Sequence, residues 1–171
     1  ESEGRNLVNY ITGGTFGMDV TDFCAPTYIC KQNADGKYSV EGPFEAVVGN
    51  EGYTTVEAAI AAATAGQTVR LLADIEKSAI IVINKAITFD GAEYTYTGNM
   101  TIKANTTIKN VNFDGKGYNG YAVETRGANY LTIEDCTAKN YGYGFVQLTS
   151  ATALTTVKNV TVSNMNYGVK V

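Results

Sequence analysis

The chain has 171 residues, with 13 Lys and Arg against 17 Asp and Glu, no His, a formal net charge of −4 and 44% hydrophobic residues. Its cations are scattered singly, which argues against nucleic-acid binding, because neutralising phosphates takes clustered Lys and Arg. No apolar run is long enough to span a bilayer, so membrane insertion is not expected, and the missing His removes several catalytic schemes at once.

Taken in order, Glu1-Ser-Glu-Gly4 has neither the basic start nor the apolar stretch of a signal peptide. Residues 1–42 read as the terminal coil and hairpin of a preceding unit. Ile11, Gly14 and Phe16 occupy the slots of a recurring phrase, and Asn33-Ala-Asp-Gly36 is a turn signal between Tyr28–Cys30 and Lys37–Val40. Cys24 and Cys30 flank Pro26. They form a small-loop disulfide in an oxidising compartment or two small buried thiols in a reducing one. No His and no second Cys pair is present to complete a metal site, so no metal and no cofactor are expected.

Residues 43–52 read as a linker. Thr54-Thr-Val-Glu57 has capping-box spacing and opens a helix through Ala65 to the stop signal Gly66, with Val56, Ala59, Ile60 and Ala63 on one narrow apolar face. Such a helix covers the open end of an apolar core. Strands are expected at 67–72, 79–83 and 86–89.

The last third repeats one phrase: Thr106-Thr-Ile-Lys-Asn-Val-Asn-Phe113, Leu131-Thr-Ile-Glu-Asp-Cys-Thr-Ala138 and Thr155-Thr-Val-Lys-Asn-Val-Thr-Val162. Ile108, Ile133 and Val157 superpose, as do Val111, Cys136 and Val160, and then Phe113, Ala138 and Val162. Gly120, Gly144 and Gly168 recur every 24 residues. Short β-branched runs at such a period, with no helical apolar spacing, specify a solenoid of parallel strands. The expected fold is all-β: a right-handed parallel β-helix over 53–171 with an N-terminal capping α-helix. Ile108, Ile133 and Val157 form an internal ladder, and Asn110, Asp135 and Asn159 sit at the turn after it. The chain stops inside the strand Tyr167-Gly-Val-Lys-Val171, so a truncated piece of a longer chain is expected, with neighbouring β-helix units as partners.

Gly52-Tyr-Thr-Thr-Val-Glu-Ala-Ala-Ile-Ala-Ala-Ala-Thr-Ala-Gly-Gln-Thr-Val-Arg-Leu-Leu-Ala-Asp74, followed by Ile83-Asn-Lys-Ala-Ile-Thr-Phe-Asp90, resembles the opening of pectin-lyase-like β-helix domains of large bacterial surface proteins. The resemblance implies extracellular display at a bacterial cell surface. It is weak for any one activity, since the same scaffold serves enzymes, adhesins and phage fibres.

Three functions are open. The resemblance to pectate lyases implies acidic residues holding calcium with an Arg or Lys base, and polygalacturonases use clustered Asp with a His that this chain lacks. Glu124 and Arg126 share a strand face, with Asp114, Glu134 and Asp135 a coil away, but such i,i+2 charges are more often a surface ion pair of ~0–1 kcal/mol. Binding is the second. Tyr118, Tyr121, Tyr130, Tyr141, Tyr143 and Tyr167 interleave with Asn119, Asn129, Asn140 and Asn166, and Tyr with amide side chains suits glycans or a host protein. The candidate ligand-binding set is Tyr118, Tyr121, Tyr141, Tyr143, Tyr167, Asn140 and Asn166, although Tyr and Asn also fill turns in any β-helix. Tyr141 and Tyr143 lead, because Gly142 and Gly144 leave the backbone beside them bare. The third is a stiff spacer lengthening by ~4.8 Å per coil. The expectation is a non-catalytic surface, adhesion or display module, with a virion fibre or a polysaccharide lyase as the alternatives.

Overall fold

The computed structural model describes residues 10–128, 130–149 and 154–171. Segment 1–9 of the expected first coil and Asn129 lie outside them. Strands β1 (Gly14–Phe16), β2 (Ile29–Gln32) and β3 (Tyr38–Glu41) form an antiparallel sheet in the order β1-β3-β2. The β2–β3 hairpin turns at Asn33–Gly36, where Gly36 N–H donates to Asn33 O at 3.0 Å. This sheet has its own small core of Val20, Cys24 and Val40, joined by Ile11, Phe16, Tyr28 and Cys30. Its strands pair antiparallel, unlike the parallel stacking expected of a solenoid coil.

The expected linker 43–52 instead folds. Strands β4 (Ala46–Val48) and β5 (Glu51–Tyr53) pair across the two-residue Gly49-Asn50 loop, with Gly49 at φ 59°. A Gly-Asn pair between short apolar runs is a hairpin signal, and it was available in the sequence. Helix α1 (Val56–Ala62) follows, with Val56, Ala59, Ile60 and Ala63 buried as the apolar spacing requires. Its cap is Thr55 rather than Thr54: the Thr55 hydroxyl accepts from Ala58 N–H at 3.2 Å. The capping box is therefore out of phase. Glu45 supplies the missing acceptor, taking Val56 N–H at 2.9 Å, and Lys77 bridges Glu45 and Glu57 at 2.9 and 3.2 Å. These contacts tie hairpin and helix to the first coil beneath them.

The solenoid then winds through about four turns. Its coils contribute β6 (Thr68–Leu71), β7 (Ile75–Glu76) and β8 (Ile81–Ile83); β9 (Thr88–Asp90), β10 (Thr95–Thr97) and β11 (Met100–Ile102); and β12 (Thr106–Lys109), β13 (Asn112–Asp114) and β14 (Tyr121–Thr125). Next come β15 (Tyr130–Lys139) with β16 (Gly144–Leu148), then β17 (Leu154–Ser163) with β18 (Tyr167–Lys170). All pairing between coils is parallel, and β4 adds antiparallel to β6 to close the first edge.

Three internal ladders run through the coils. The expected Ile108–Ile133–Val157 ladder is present in register and continues back to Phe89 and Val69. On the second face Phe113, Ala138 and Val162 align and continue back to Tyr96 and Ile75. On the third, Ile81, Met100, Val123, Val146 and Val169 align. Each fully buried rung adds about 1.5–3 kcal/mol of apolar burial. Rings of Phe89, Tyr96, Phe113 and Phe145 follow one another through the centre in edge-to-face and tilted contacts, with successive centroids 6.4, 5.9 and 5.6 Å apart.

The corner between the first two faces is made by Asn110, Asp135 and Asn159, at φ 52°, 53° and 51°. Asn and Asp tolerate this left-handed region because their short polar chains bond locally. Asn110 Nδ2 donates to Asp90 Oδ1 at 3.0 Å, and Asn159 Nδ2 donates to Asp135 Oδ1 at 2.9 Å. The next corner repeats the device. Asn140, at φ 63°, donates to Asp114 Oδ1 at 2.9 Å and accepts from Asn164 Nδ2 at 2.6 Å. In each of these four bonds an asparagine amide donates to a carboxylate or amide oxygen of the coil before it.

Candidate functional site

The third face corrects the Gly120/Gly144/Gly168 reading. Gly144 pairs with Tyr121 and with Tyr167, so the register here is one residue off the glycine spacing. Gly144 has a packing reason: a Cβ there would lie 2.4 Å from Tyr167 O and 3.1 Å from the Tyr121 ring. Without that side chain, the tyrosines of neighbouring coils close over the strand.

The true register exposes an outward row. Glu124 pairs with Gln147, and Gln147 with Lys170, one residue per coil. Beside this row the loops entering β14 and β16 bring up Tyr118 and Tyr143, and β18 opens on Tyr167; the three rings are 45%, 47% and 49% exposed. Together with Asn119, Gly120, Tyr121 and Asn166 these residues line one open groove of about 400 Å³. Tyr121 is buried at its base, its ring 5.7 Å from Tyr143. Five of the seven expected binding residues, Tyr118, Tyr121, Tyr143, Tyr167 and Asn166, therefore meet here.

Tyr141 and Asn140 do not. Tyr141 is 1% exposed, and its hydroxyl donates to Gly98 O at 2.6 Å. Its ring meets Tyr118 edge-on at 6.5 Å, and burial pushes its hydroxyl pKa up. The left-handed turn at Asn140 aims it inward, so Tyr141 is core and only Tyr143 of that pair faces the groove. Asn140 is held by Asp114 and Asn164 at the corner, beside a separate depression that it shares with Lys116 and Tyr141. Tyr130 is exposed along a different edge, near Thr106 and Asn105.

The polar chemistry of the groove is mostly unused. Among the described residues, the side chains of Gln147 and Asn119 and the hydroxyls of Tyr121, Tyr143 and Tyr167 make no hydrogen bond, and Tyr118 Oη accepts from Asn99 Nδ2 at 3.4 Å. Asn166 Nδ2 donates to Gly142 O at 2.8 Å, which fixes the β18 loop. Glu124 accepts from Arg126 at 3.0 Å, and Lys170 Nζ lies 5.5 Å from the Tyr167 ring centroid. The site presents flat apolar rings, free amides and hydroxyls, one carboxylate and one ammonium.

Glu124 and Arg126 form the expected ion pair, but the other acids go elsewhere. Asp135 and Asp114 accept from corner asparagines, and Glu134 stands in the first-face row between Lys109 and Lys158. Among the described residues no group of three or more His, Cys, Asp or Glu is arranged to hold a metal ion. Cys24 and Cys30 are free thiols. Buried Cys24 donates to Val20 O at 3.4 Å, and burial followed by the neighbouring Cys30 raises its pKa.

Sequence alone identified the tyrosines but not the row Glu124–Gln147–Lys170, which appears only in the true register. No helix among the described residues is long and apolar enough to cross a membrane.

The chain is a β-solenoid with one short cap helix. Comparison with protein-family models, curated proteins and solved structures found no match.

Proposed function

We propose that the chain is a non-catalytic display module of an extracellular, cell-surface protein of the pectin-lyase-like kind, which binds a glycan in the tyrosine groove of its third face. The observation that carries this reading is the convergence of Tyr118, Tyr143 and Tyr167 with unengaged amide and hydroxyl groups in one groove. Aromatic faces stack on the apolar faces of sugars while polar tips and amides exchange hydrogen bonds with hydroxyls. Stacked coils supply a stiff support that holds such a groove without reorganisation on binding, which lowers the ordering cost of association.

A lyase reading receives less support from the groove. Its lining offers one carboxylate, already engaged by Arg126, and an ammonium two coils away, about 9.6 Å along the stack. A general base must stand free within hydrogen-bond reach of the proton that it abstracts, and the lining's one carboxylate is held by Arg126. A virion fibre would use the same solenoid, and nothing in the groove favours it over a cell surface.

Binding of the purified chain to a broad glycan panel, beside a Tyr143→Ala/Tyr167→Ala variant, tests the reading. Saturable binding that is lost in a folded variant supports it. Failure of every glycan to bind the folded parent overturns it in favour of a spacer.

A further inference from the structure

We infer that Cys24 and Cys30 close an intramolecular disulfide, and that this bond clamps the joint between the N-terminal sheet and the solenoid. Neither cysteine lines the tyrosine groove, so the pair stands or falls apart from the glycan reading. The chain between them turns back on itself. Tyr28 N–H donates to Ala25 O at 3.0 Å, with Pro26 second in the turn and Thr27 third at φ 71°. These are the marks of a type II turn, although its third position suits Gly or Asn and a β-branched residue resists it. Both flanks of the turn then return to one small core. Cys24 is buried there with Val20 and Val40, and Cys30, half-buried, packs against the same cluster from β2, where it pairs with Val40.

Their surroundings make the two thiols unequal. Cys24 Sγ donates to Val20 O at 3.4 Å, and burial, then the neighbouring Cys30, hold its pKa above the ordinary value. Cys30 is hydrogen-bonded to the exposed Asp19 carboxylate, which Thr21 first and Cys30 after it keep below its usual pKa. An oxidant arriving from solvent therefore meets Cys30 first. With a small-molecule disulfide as that oxidant, Cys30 loses its proton and its thiolate attacks one sulfur, so that the small S–S bond breaks and one thiolate leaves. Cys24 loses its proton in turn and attacks the Cys30 sulfur, expelling the second small thiolate. Two protein thiols are oxidised to one disulfide, and the small disulfide is reduced to two thiols that take up the two protons.

The loop closed by this bond grips the joint. Thr27 O accepts Phe44 N–H at 2.8 Å, and Gly42 lies so close to the turn that a Cβ there would stand 2.8 Å from both Thr27 O and the Tyr28 ring. Lys31, next to Cys30, forms an ion pair with Glu51 of β5. Residues 42–44 lead from β3 towards the β4–β5 hairpin, so the turn at 25–28 bears directly on the segment that joins sheet to solenoid. Among the described residues, the fully buried part of the sheet's own core is Val20, Cys24 and Val40. A core that small is where a covalent link contributes most.

The test is incubation of the reduced, folded chain with oxidised glutathione, followed by alkylation in denaturant and peptide mass spectrometry. The expected product has lost two of its three free thiols, and tryptic peptide 6–31, which holds both cysteines, is unalkylated and lighter by two hydrogens. Cys24→Ser should stop one step earlier, with glutathione held on Cys30, while Cys30→Ser should take up none at Cys24. In the oxidised parent the amide hydrogens of Tyr28 and Phe44 should exchange about 10-fold or more slowly than in the reduced chain, with those of Ile108 and Ile133 unchanged. A parent that keeps all three thiols, or that accumulates glutathione on Cys30 without closing, overturns the disulfide. Uptake at Cys24 in Cys30→Ser overturns the order of attack. A disulfide that leaves exchange at Tyr28 and Phe44 unchanged overturns the clamp.

Discussion

Tyr141 and Tyr143 are two residues apart, each beside a glycine, yet the structure gives them opposite roles, and substitution separates them. Tyr141 is a fully buried ring whose hydroxyl donates to Gly98 O at 2.6 Å across the stack. Truncating it to Ala removes a buried aromatic and leaves a cavity, a loss of about 3–5 kcal/mol. Tyr141→Phe removes only the hydrogen bond to a half-buried carbonyl, about 0.5–1.5 kcal/mol. Tyr143→Ala changes a half-exposed ring and should cost no more than about 1 kcal/mol. Urea unfolding followed by circular dichroism resolves these differences. With a slope of about 2 kcal/mol per molar, the midpoint falls by about 2 M for Tyr141→Ala, about 0.5 M for Tyr141→Phe, and less than that for Tyr143→Ala. A Tyr141→Ala midpoint within a few tenths of molar of the parent would refute the placement of this ring in the core.

Three further outcomes follow from the corners and thiols. Asn140 sits at φ 63° between Asp114 and Asn164, so Asn140→Gly should retain more stability than Asn140→Ala, which loses the same hydrogen bonds and adds left-handed strain; the denaturation midpoints check this order. Asp114 is held below its usual carboxylate pKa by the Asn140 amide, the Lys116 N–H and Lys139. At Asp90, burial pushes the pKa up but is outweighed by Ala92 N–H, Asn110 and Lys109, leaving it lowered. A depressed folded pKa means that the unfolded chain binds the proton more tightly. The resulting stability is complete above about pH 5 and is lost as pH falls below about 4 and through the folded value. An Asp90→Asn/Asp114→Asn variant should show a flatter loss of thermal stability between about pH 5 and 3. Finally, burial pushes the Cys136 thiol up to about 11, so iodoacetamide at neutral pH should leave Cys136 unmodified in the folded chain, as mass spectrometry of the peptides would show.

Much of the architecture was legible because it is carried by periodic residue types. Ile108, Ile133 and Val157 recur with β-branched neighbours, and that recurrence alone gives the ladder and the parallel stacking. The cap helix was visible through its small apolar face, but its exact start was not. Glu45 lies 11 residues upstream of the N–H that it accepts, and only the fold brings it there. The β4–β5 hairpin was missed although Gly49-Asn50 marks it, since three-residue strands carry too little alternation to be recognised. At the site, residue type found the tyrosines, whereas orientation depends on the corners. Residues 140–143 form the turn between β15 and β16 rather than a strand, so in–out alternation does not place them, and Tyr141 is buried while Tyr143 is exposed. The glycine spacing misplaced the third-face register by one residue, which is enough to hide Glu124, Gln147 and Lys170 as a row.

The most direct measurement of the central claim is an NMR titration of the chain carrying 13C-labelled tyrosine rings, using the tightest-binding member of the glycan panel. The account predicts saturable shifts at Tyr118, Tyr143 and Tyr167, with Tyr96 and Tyr10 unmoved. Shifts confined to Tyr130 or Tyr10, with the groove tyrosines silent, would contradict it.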